Sequence, residues 1–279
     1  MKIVRYGKKG AEKPGFIDNK GNLRDLSNQF EDIDGSFLSG NSLSSLTSAN
    51  EEGFPLVEND VRLGVPIANT SKLIAIGLNY ADHAAETNSP IPTEPIVFMK
   101  AVSSINGPND DVIIPSHSQK SDWEVELAFV IGTKAKNVSK DEAMHHVAGY
   151  TICNDVSERE WQLEHGSQWS KGKSFDTFAP IGPWLVTKDE IPDPHNLPMW
   201  LDVNGKRMQT GNTNTMIFNI PEIISYLSSF VTLIPGDIIT TGTPPGVGMG
   251  MKPDPIFLKP GDSMNLGIEG LGEQSQDVK

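Results

Sequence analysis

DWEVELAFVIG, residues 122–132, is the stretch whose reading decides the fold. Successive side chains on a strand point to opposite faces. Val125, Leu127, Phe129 and Ile131 therefore share one face, and Glu124, Glu126, Ala128 and Val130 share the other. Two carboxylates stand as neighbours in a segment otherwise apolar enough for a core. Like charges at that spacing repel unless something positive is present. Two readings follow: an edge strand with an acidic, half-exposed outer face, or a carboxylate pair that holds a cation.

Working outward, VAGYTICND (147–155) is a second apolar run, and it ends at Asn154-Asp155, where a chain emerges at a sheet rim. Asp155 adds a third hard oxygen donor. With no thiolate or histidine pair competing, Glu124, Glu126 and Asp155 suit Mg²⁺, Mn²⁺ or Ca²⁺ better than zinc. Three carboxylates would leave roughly three positions of an octahedron for water and substrate.

Further strand-like runs recur on both sides, among them KLIAIGLNY (72–80), EPIVFMKAVSSI (94–105), APIGPWLVT (179–187), PMWLDVNGKRM (198–208) and DIITTGT (237–243). Helical patterns are few; NIPEIISYLSSF (219–230) is the clearest, with Asn219 as N-cap and Pro221 in its first turn. Many strands, few helices, 20 prolines and 26 glycines predict an α+β, mainly β chain. A soft boundary near Pro66–Ser71 divides it into a small β-rich N-terminal domain, 1–68, and a larger domain, 69–279.

Charge narrows the partners. A formal charge of −13, from 23 basic and 36 acidic residues, argues against nucleic acid or an anionic membrane as the main partner. Cys153 is the only cysteine, so intramolecular disulfides and Cys-rich zinc sites are excluded. It reads as a small core side chain. No apolar signal segment and no run of about 18 apolar residues occurs, so the default expectation is cytoplasmic.

GLNYADHAAE (77–86) sets His83 and Glu86 three residues apart on one helical face. A carboxylate beside an imidazole fixes its tautomer and raises its basicity, as a general base requires; a plain surface pair has the same spacing. QWSKGKSFDTFAPIGP (168–183) carries Lys171 and Lys173 in a Gly/Ser loop, able to meet a carboxylate or simply solvated. TTGTPPGVGMG (240–250) lacks GK[ST], and Met251 stands where a third glycine would be, so dinucleotide and P-loop sites are rejected.

Six ordered stretches, IGLNYADHAAE, EPIVFMKAVSSING, DWEVELAFVIG, AGYTICNDVSERE, QWSKGKSFDTFAPIGPWLVT and LIPGDIITTGTPPGVG, resemble the fumarylacetoacetate hydrolase superfamily from about Leu73 onward. The resemblance implies a mixed β-roll catalytic domain behind a small N-terminal domain, and a homodimer. It implies metal ligation by Glu124, Glu126 and Asp155, a His83–Glu86 dyad and an active-site Lys173. Thr243 matches a substrate-contacting position, with Lys100 and Gln162 as further candidates. Two departures stand out: Leu78 replaces an arginine found in some members, and Ile76 and its neighbours offer no fourth acidic ligand. The first removes one possible anion contact; the second favours the smaller three-carboxylate subgroup.

What the resemblance implies chemically is Mg²⁺-dependent hydrolysis of a C–C bond in a 2,4-dioxo acid, of acylpyruvate or diketo-deoxy-sugar-acid type. The cation would let an acidic protein hold an acidic substrate. An oxaloacetate-type decarboxylase or a 2-hydroxy-diene-dioate isomerase would use similar parts. From another class, a non-catalytic metal- or ligand-binding β-protein would leave His83 and Lys173 idle.

Overall fold

The computed structural model describes residues 1–47, 49–58 and 61–279. Its strands are β1 (Lys2–Tyr6), β2 (Lys13–Ile17), β3 (Leu23–Asp25), β4 (Leu73–Gly77), β5 (Ile96–Lys100), β6 (Ile105–Asn106), β7 (Ser121–Asp122) and β8 (Val125–Ile131). There follow β9 (Val147–Asn154), β10 (Ser157–Glu158), β11 (Ala179–Thr187), β12 (Pro198–Val203), β13 (Lys206–Asn212), β14 (Ile238–Thr240), β15 (Ser263–Ile268) and β16 (Gly272–Asp277). Helices are short: α1 (Gly35–Ser39), α2 (Ser42–Thr47), α3 (Ala81–Glu86), α4 (Lys140–Ala143), α5 (Arg159–Leu163), α6 (Ser170–Lys173) and the longer α7 (Ile220–Phe230). The chain thus adopts the α+β, mainly β class expected from its sequence.

The main sheet runs β3-β2-β1-β11-β9-β8-β14-β4-β5, with β6 paired to β11. It is mixed, because β14 lies parallel to β4 and antiparallel to β8. A second sheet, β13-β12-β15-β16, is not hydrogen-bonded into it but packs against it. The edge-strand reading of 122–132 fails, since β8 sits inside the main sheet and all seven of its residues are buried.

Alternation along β8 serves two cores. Val125, Leu127, Phe129 and Ile131 join Leu201, Leu266 and the α7 residues Ile223 and Leu227 in one apolar cluster. Ala128 and Val130 join Ile3, Phe16, Ile181 and Leu185 in another. Each fully buried Val, Leu, Ile or Phe side chain contributes roughly 1.5–3 kcal/mol, against several kcal/mol for each desolvated carboxylate. Carboxylates are therefore tolerable only at the strand's start, where donors meet them. Helix α7 begins as its sequence predicts: Asn219 caps it, Glu222 returns the capping box, and Pro221 occupies the first turn.

Residues 1–68, expected as a small N-terminal domain, place β1–β3 in the same sheet as the strands of 69–279. The join is β1 to β11, with Lys2 opposite Val186 and Ile3 opposite Leu185. Without β1, the unpaired backbone groups on that side of β11 would need other partners.

Candidate active site

Glu124 lies just before β8 and Asp155 just after β9, so both leave the sheet at one rim. Backbone pairing continues past the strands, with the Asp155 N–H donating to the Glu124 carbonyl at 2.9 Å. Asn154 locks the rim: its Oδ1 accepts from the Glu124 N–H (3.1 Å) and its Nδ2 donates to Gln276 (3.1 Å). Glu126 sits one pleat in, opposite Cys153, and its Oε2 accepts from the Gly242 N–H at 2.9 Å. Oxygens of Glu124, Glu126 and Asp155 lie within 4.8 Å of one another, and all three residues are buried.

Three cations converge on this rim. Lys173 Nζ donates to Glu124 Oε2 and to Asp155 Oδ2, both at 2.7 Å. Arg159 pairs through Nε with Asp122 Oδ2 (2.8 Å) and through Nη2 with Glu124 Oε1 (2.7 Å). Lys100 donates to Asp155 Oδ1 and to the Val156 carbonyl. Burial works to raise the Glu124 carboxyl, but Lys173 and Arg159 hold it down to about 2. Glu126 goes the other way: burial, then the charges of Asp155 and Glu124, push it well above the usual carboxylate range.

Arg159 is the residue that sequence reading passed over. It stands in the quoted VSERE stretch, but nothing in that local pattern distinguishes a buried arginine from a solvated one.

The dyad takes shape on α3. His83 Nδ1 lies 3.0 Å from Glu86 Oε2, and Glu86 Oε1 accepts from the Gly246 N–H at 2.9 Å. With Glu86 as acceptor, Nδ1 carries the proton and Nε2 keeps its lone pair.

A cavity of about 280 Å³ opens over these groups, lined by His83, Glu124, Glu126, Asp155, Arg159, Gln162, Lys173 and Thr243 together with an apolar wall. Gln162 accepts from Arg159 Nη1 at 3.0 Å. Thr243 commits its one hydroxyl proton to the Val125 carbonyl (2.9 Å) and accepts from Gln209 (2.8 Å), leaving only lone-pair capacity for a ligand. Lys100, expected near the substrate, is not among the cavity-lining residues. Its side chain is fully buried against Asp155, where it supports a carboxylate instead of meeting a ligand.

These residues fit a divalent cation. Four buried carboxylates, Asp122, Glu124, Glu126 and Asp155, face three buried cations, and among the described residues Glu126 has no ion-pair partner. A carboxylate left uncompensated beside two others, with only hard oxygen donors around it, matches what Mg²⁺ or Mn²⁺ binds.

Residues 72–279 match the family model described as fumarylacetoacetate (FAA) hydrolase, C-terminal. The chain belongs to the fumarylacetoacetate hydrolase family. A relative from Burkholderia orbicola (strain MC0-3), provisionally named a hydrolase, is 57% identical over 279 residues, spanning 100% of this chain and 99% of its own. Among solved structures, a probable 2-hydroxyhepta-2,4-diene-1,7-dioate isomerase from Mycobacterium abscessus shares 32% identity at a TM-score of 0.84, covering 100% of this chain and 98% of its own. Maleylpyruvate hydrolase from Sphingobium sp. SYK-6, in complex with manganese(II) and pyruvate, shares 28% identity at a TM-score of 0.83, with the same coverage. This family member is thus an enzyme, with hydrolases and isomerases among the proteins it resembles.

Proposed function

We propose that this chain hydrolyses the C3–C4 bond of a 2,4-dioxo acid, releasing pyruvate or a related 2-oxo acid and a carboxylic acid. The observation that carries the reading is that His83, backed on Nδ1 by Glu86, lines the same cavity as the three-carboxylate cluster. For an acylpyruvate the balance is RCOCH₂COCOO⁻ + H₂O → RCOO⁻ + H⁺ + CH₃COCOO⁻. The C3–C4 bond breaks, a C4–O bond forms from water, and C3 gains a proton.

Glu124, Glu126 and Asp155 would hold Mg²⁺ or Mn²⁺, which when bound supplies positive charge where the 2-oxo oxygen becomes negative. His83 Nε2 takes a proton from the water that attacks C4, and Glu86, on Nδ1, stabilises the imidazolium that forms. Such general-base assistance is worth about 10²–10⁴-fold. Lys173 has three N–H donors, two of them committed to Glu124 and Asp155. Its third is available to the substrate carboxylate or the developing oxyanion. The reading includes a cytoplasmic homodimer, for which light scattering tests the assembly.

The isomerase among the structural neighbours supports a second reading, in which His83 moves a proton between carbons and no water attacks. Incubation with Mg²⁺ and, in turn, an acylpyruvate, oxaloacetate and a 2-hydroxy-diene-dioate separates the readings. Pyruvate plus an acid means hydrolysis, CO₂ release means decarboxylation, and a shifted double bond without cleavage means isomerisation. If no 2-oxo acid turns over while Mn²⁺ still binds, the protein is a binding module. Glu126→Gln is expected to lose Mn²⁺ affinity by calorimetry and turnover with it, and full retention of both would remove the ligand assignment.

A further inference from the structure

The cavity is sharply divided in charge. All its ionisable lining residues, His83, Glu124, Glu126, Asp155, Arg159 and Lys173, belong to the dyad and the carboxylate rim. The remaining wall is dominated by Leu78, Ile96, Phe98, Leu163, Trp169 and Met249. It can be traced outward from the charged end. Lys173 Nζ lies 5.3 Å from the Phe98 ring centroid, and the Phe98 ring meets the Trp169 ring edge-on at 5.5 Å. Ile96 is two residues from Phe98 on the same face of β5, roughly 7 Å further along.

Trp169 is seated deliberately. Its ring lies so close to Gly77, the β4 partner of Ile96, that a Cβ there would stand 2.2 Å from Cζ3. Only glycine at position 77 leaves the indole room. Among the described residues, this wall carries no lysine or arginine. The two cations that do line the cavity are already paired, Arg159 with Asp122 and Glu124, and Lys173 with Glu124 and Asp155.

We infer that the substrate's acyl tail is apolar and uncharged, and packs on Phe98, Trp169 and Ile96. This rests on the 2-oxo-acid reading above for the other end of the molecule. A tail ending in a carboxylate would lose its hydration against a wall with no cation to receive it, which is costly. Apolar tails lose nothing there and gain buried area. A diacid is therefore the disfavoured substrate, and hydroxylated tails fall between.

The test is binding, measured by calorimetry on the Mn²⁺-loaded protein with three 2-oxo acids of equal chain length: 2-oxoheptanoate, 7-hydroxy-2-oxoheptanoate and 2-oxoheptanedioate. None has a 4-oxo group, so none can be hydrolysed at C3–C4, and tail preference is read apart from catalysis. 2-Oxoheptanoate is expected to bind at least tenfold more tightly than the dioate. Ile96→Arg, on a partly exposed edge strand, is expected to narrow or reverse that ratio, with thermal melting checking its fold. Equal or tighter binding of the dioate by the wild type overturns the inference, whatever turnover shows. The expected ranking without hydrolysis of any 2,4-dioxo acid upholds the tail assignment and sinks the hydrolase reading. Failure of all three to bind overturns both.

Discussion

Glu86 Oε1 accepts a 2.9 Å hydrogen bond from the backbone N–H of Gly246, a residue 160 positions away. Its other oxygen faces His83 Nδ1 at 3.0 Å. One carboxylate thus aligns the imidazole and ties the loop after β14 to helix α3. Glu86→Ala is expected to lower kcat by about 10²–10⁴ while Mn²⁺ affinity stays within twofold. Glu86→Gln, which keeps an acceptor for Gly246 but not the charge, should fall between. A wild-type kcat in Glu86→Ala, with calorimetry run in parallel, would take the dyad out of the mechanism.

Arg159 is buried between Asp122 and Glu124. Asp122 also accepts from the Gly248 and Met249 N–H groups, at 2.6 and 3.0 Å. Removing the guanidinium leaves buried Asp122 without a cation among the described residues and Glu124 with Lys173 alone, and breaking such a pair costs about 3–5 kcal/mol. Arg159→Met should therefore lose stability of that order in urea unfolding, and Asp122→Asn added to it should recover part. An Arg159→Met midpoint equal to wild type would mean that solvent or neighbouring donors already satisfy those carboxylates.

Gly149 lies in β9 between β8 and β11, and a Cβ there would stand 2.2 Å from the Val186 carbonyl oxygen. Backbone cannot yield as a flexible side chain would. Gly149→Ala is expected to cost about 1–3 kcal/mol through overpacking. Gly53→Ala, where a Cβ meets nothing within 4 Å, serves as the control and should stay within roughly ±0.5 kcal/mol. Indistinguishable unfolding curves for the two variants would contradict this packing.

Asp18 predicts a pH dependence. Burial alone would raise its carboxyl, but the Asn22 and Lys20 N–H groups and the Arg24 guanidinium hold it well below the usual range. A depressed folded value stabilises the fold above the unfolded value of about 3.9 and ceases to do so as pH falls through the folded one. Asp18→Asn should melt below wild type at pH 7, with the gap closing as pH drops beneath about 4. A gap that stays constant down to pH 2 would show that Asp18 remains no more acidic folded than unfolded.

Local rules made much of this chain legible in advance. Alternation in 122–132 told the two faces of β8 apart, because pleat geometry depends only on neighbouring residues. Capping chemistry at Asn219 and Glu222 is equally local. So is the three-residue spacing of His83 and Glu86, which one helical turn converts into contact. Oxygen donors at 124, 126 and 155 were visible as residue types suited to a hard cation.

Other features came only with the folded chain. Lys2 meets Val186 across 184 residues, and no pattern within β1 names β11 as its neighbour. The family resemblance offers Lys100 as a substrate contact, yet the fold seals it behind Asp155. Arg159 and Asp122, 37 residues apart, become partners only when β7 pairs with β10. Sequence by itself determined strand faces, helix starts and the inventory of chemical groups, since these follow from sterics and bonding among near neighbours. Which carboxylate lacks a cation, and which wall of the cavity is apolar, were decided by tertiary structure. Burial and charge compensation depend on groups that are distant along the chain and adjacent only in space.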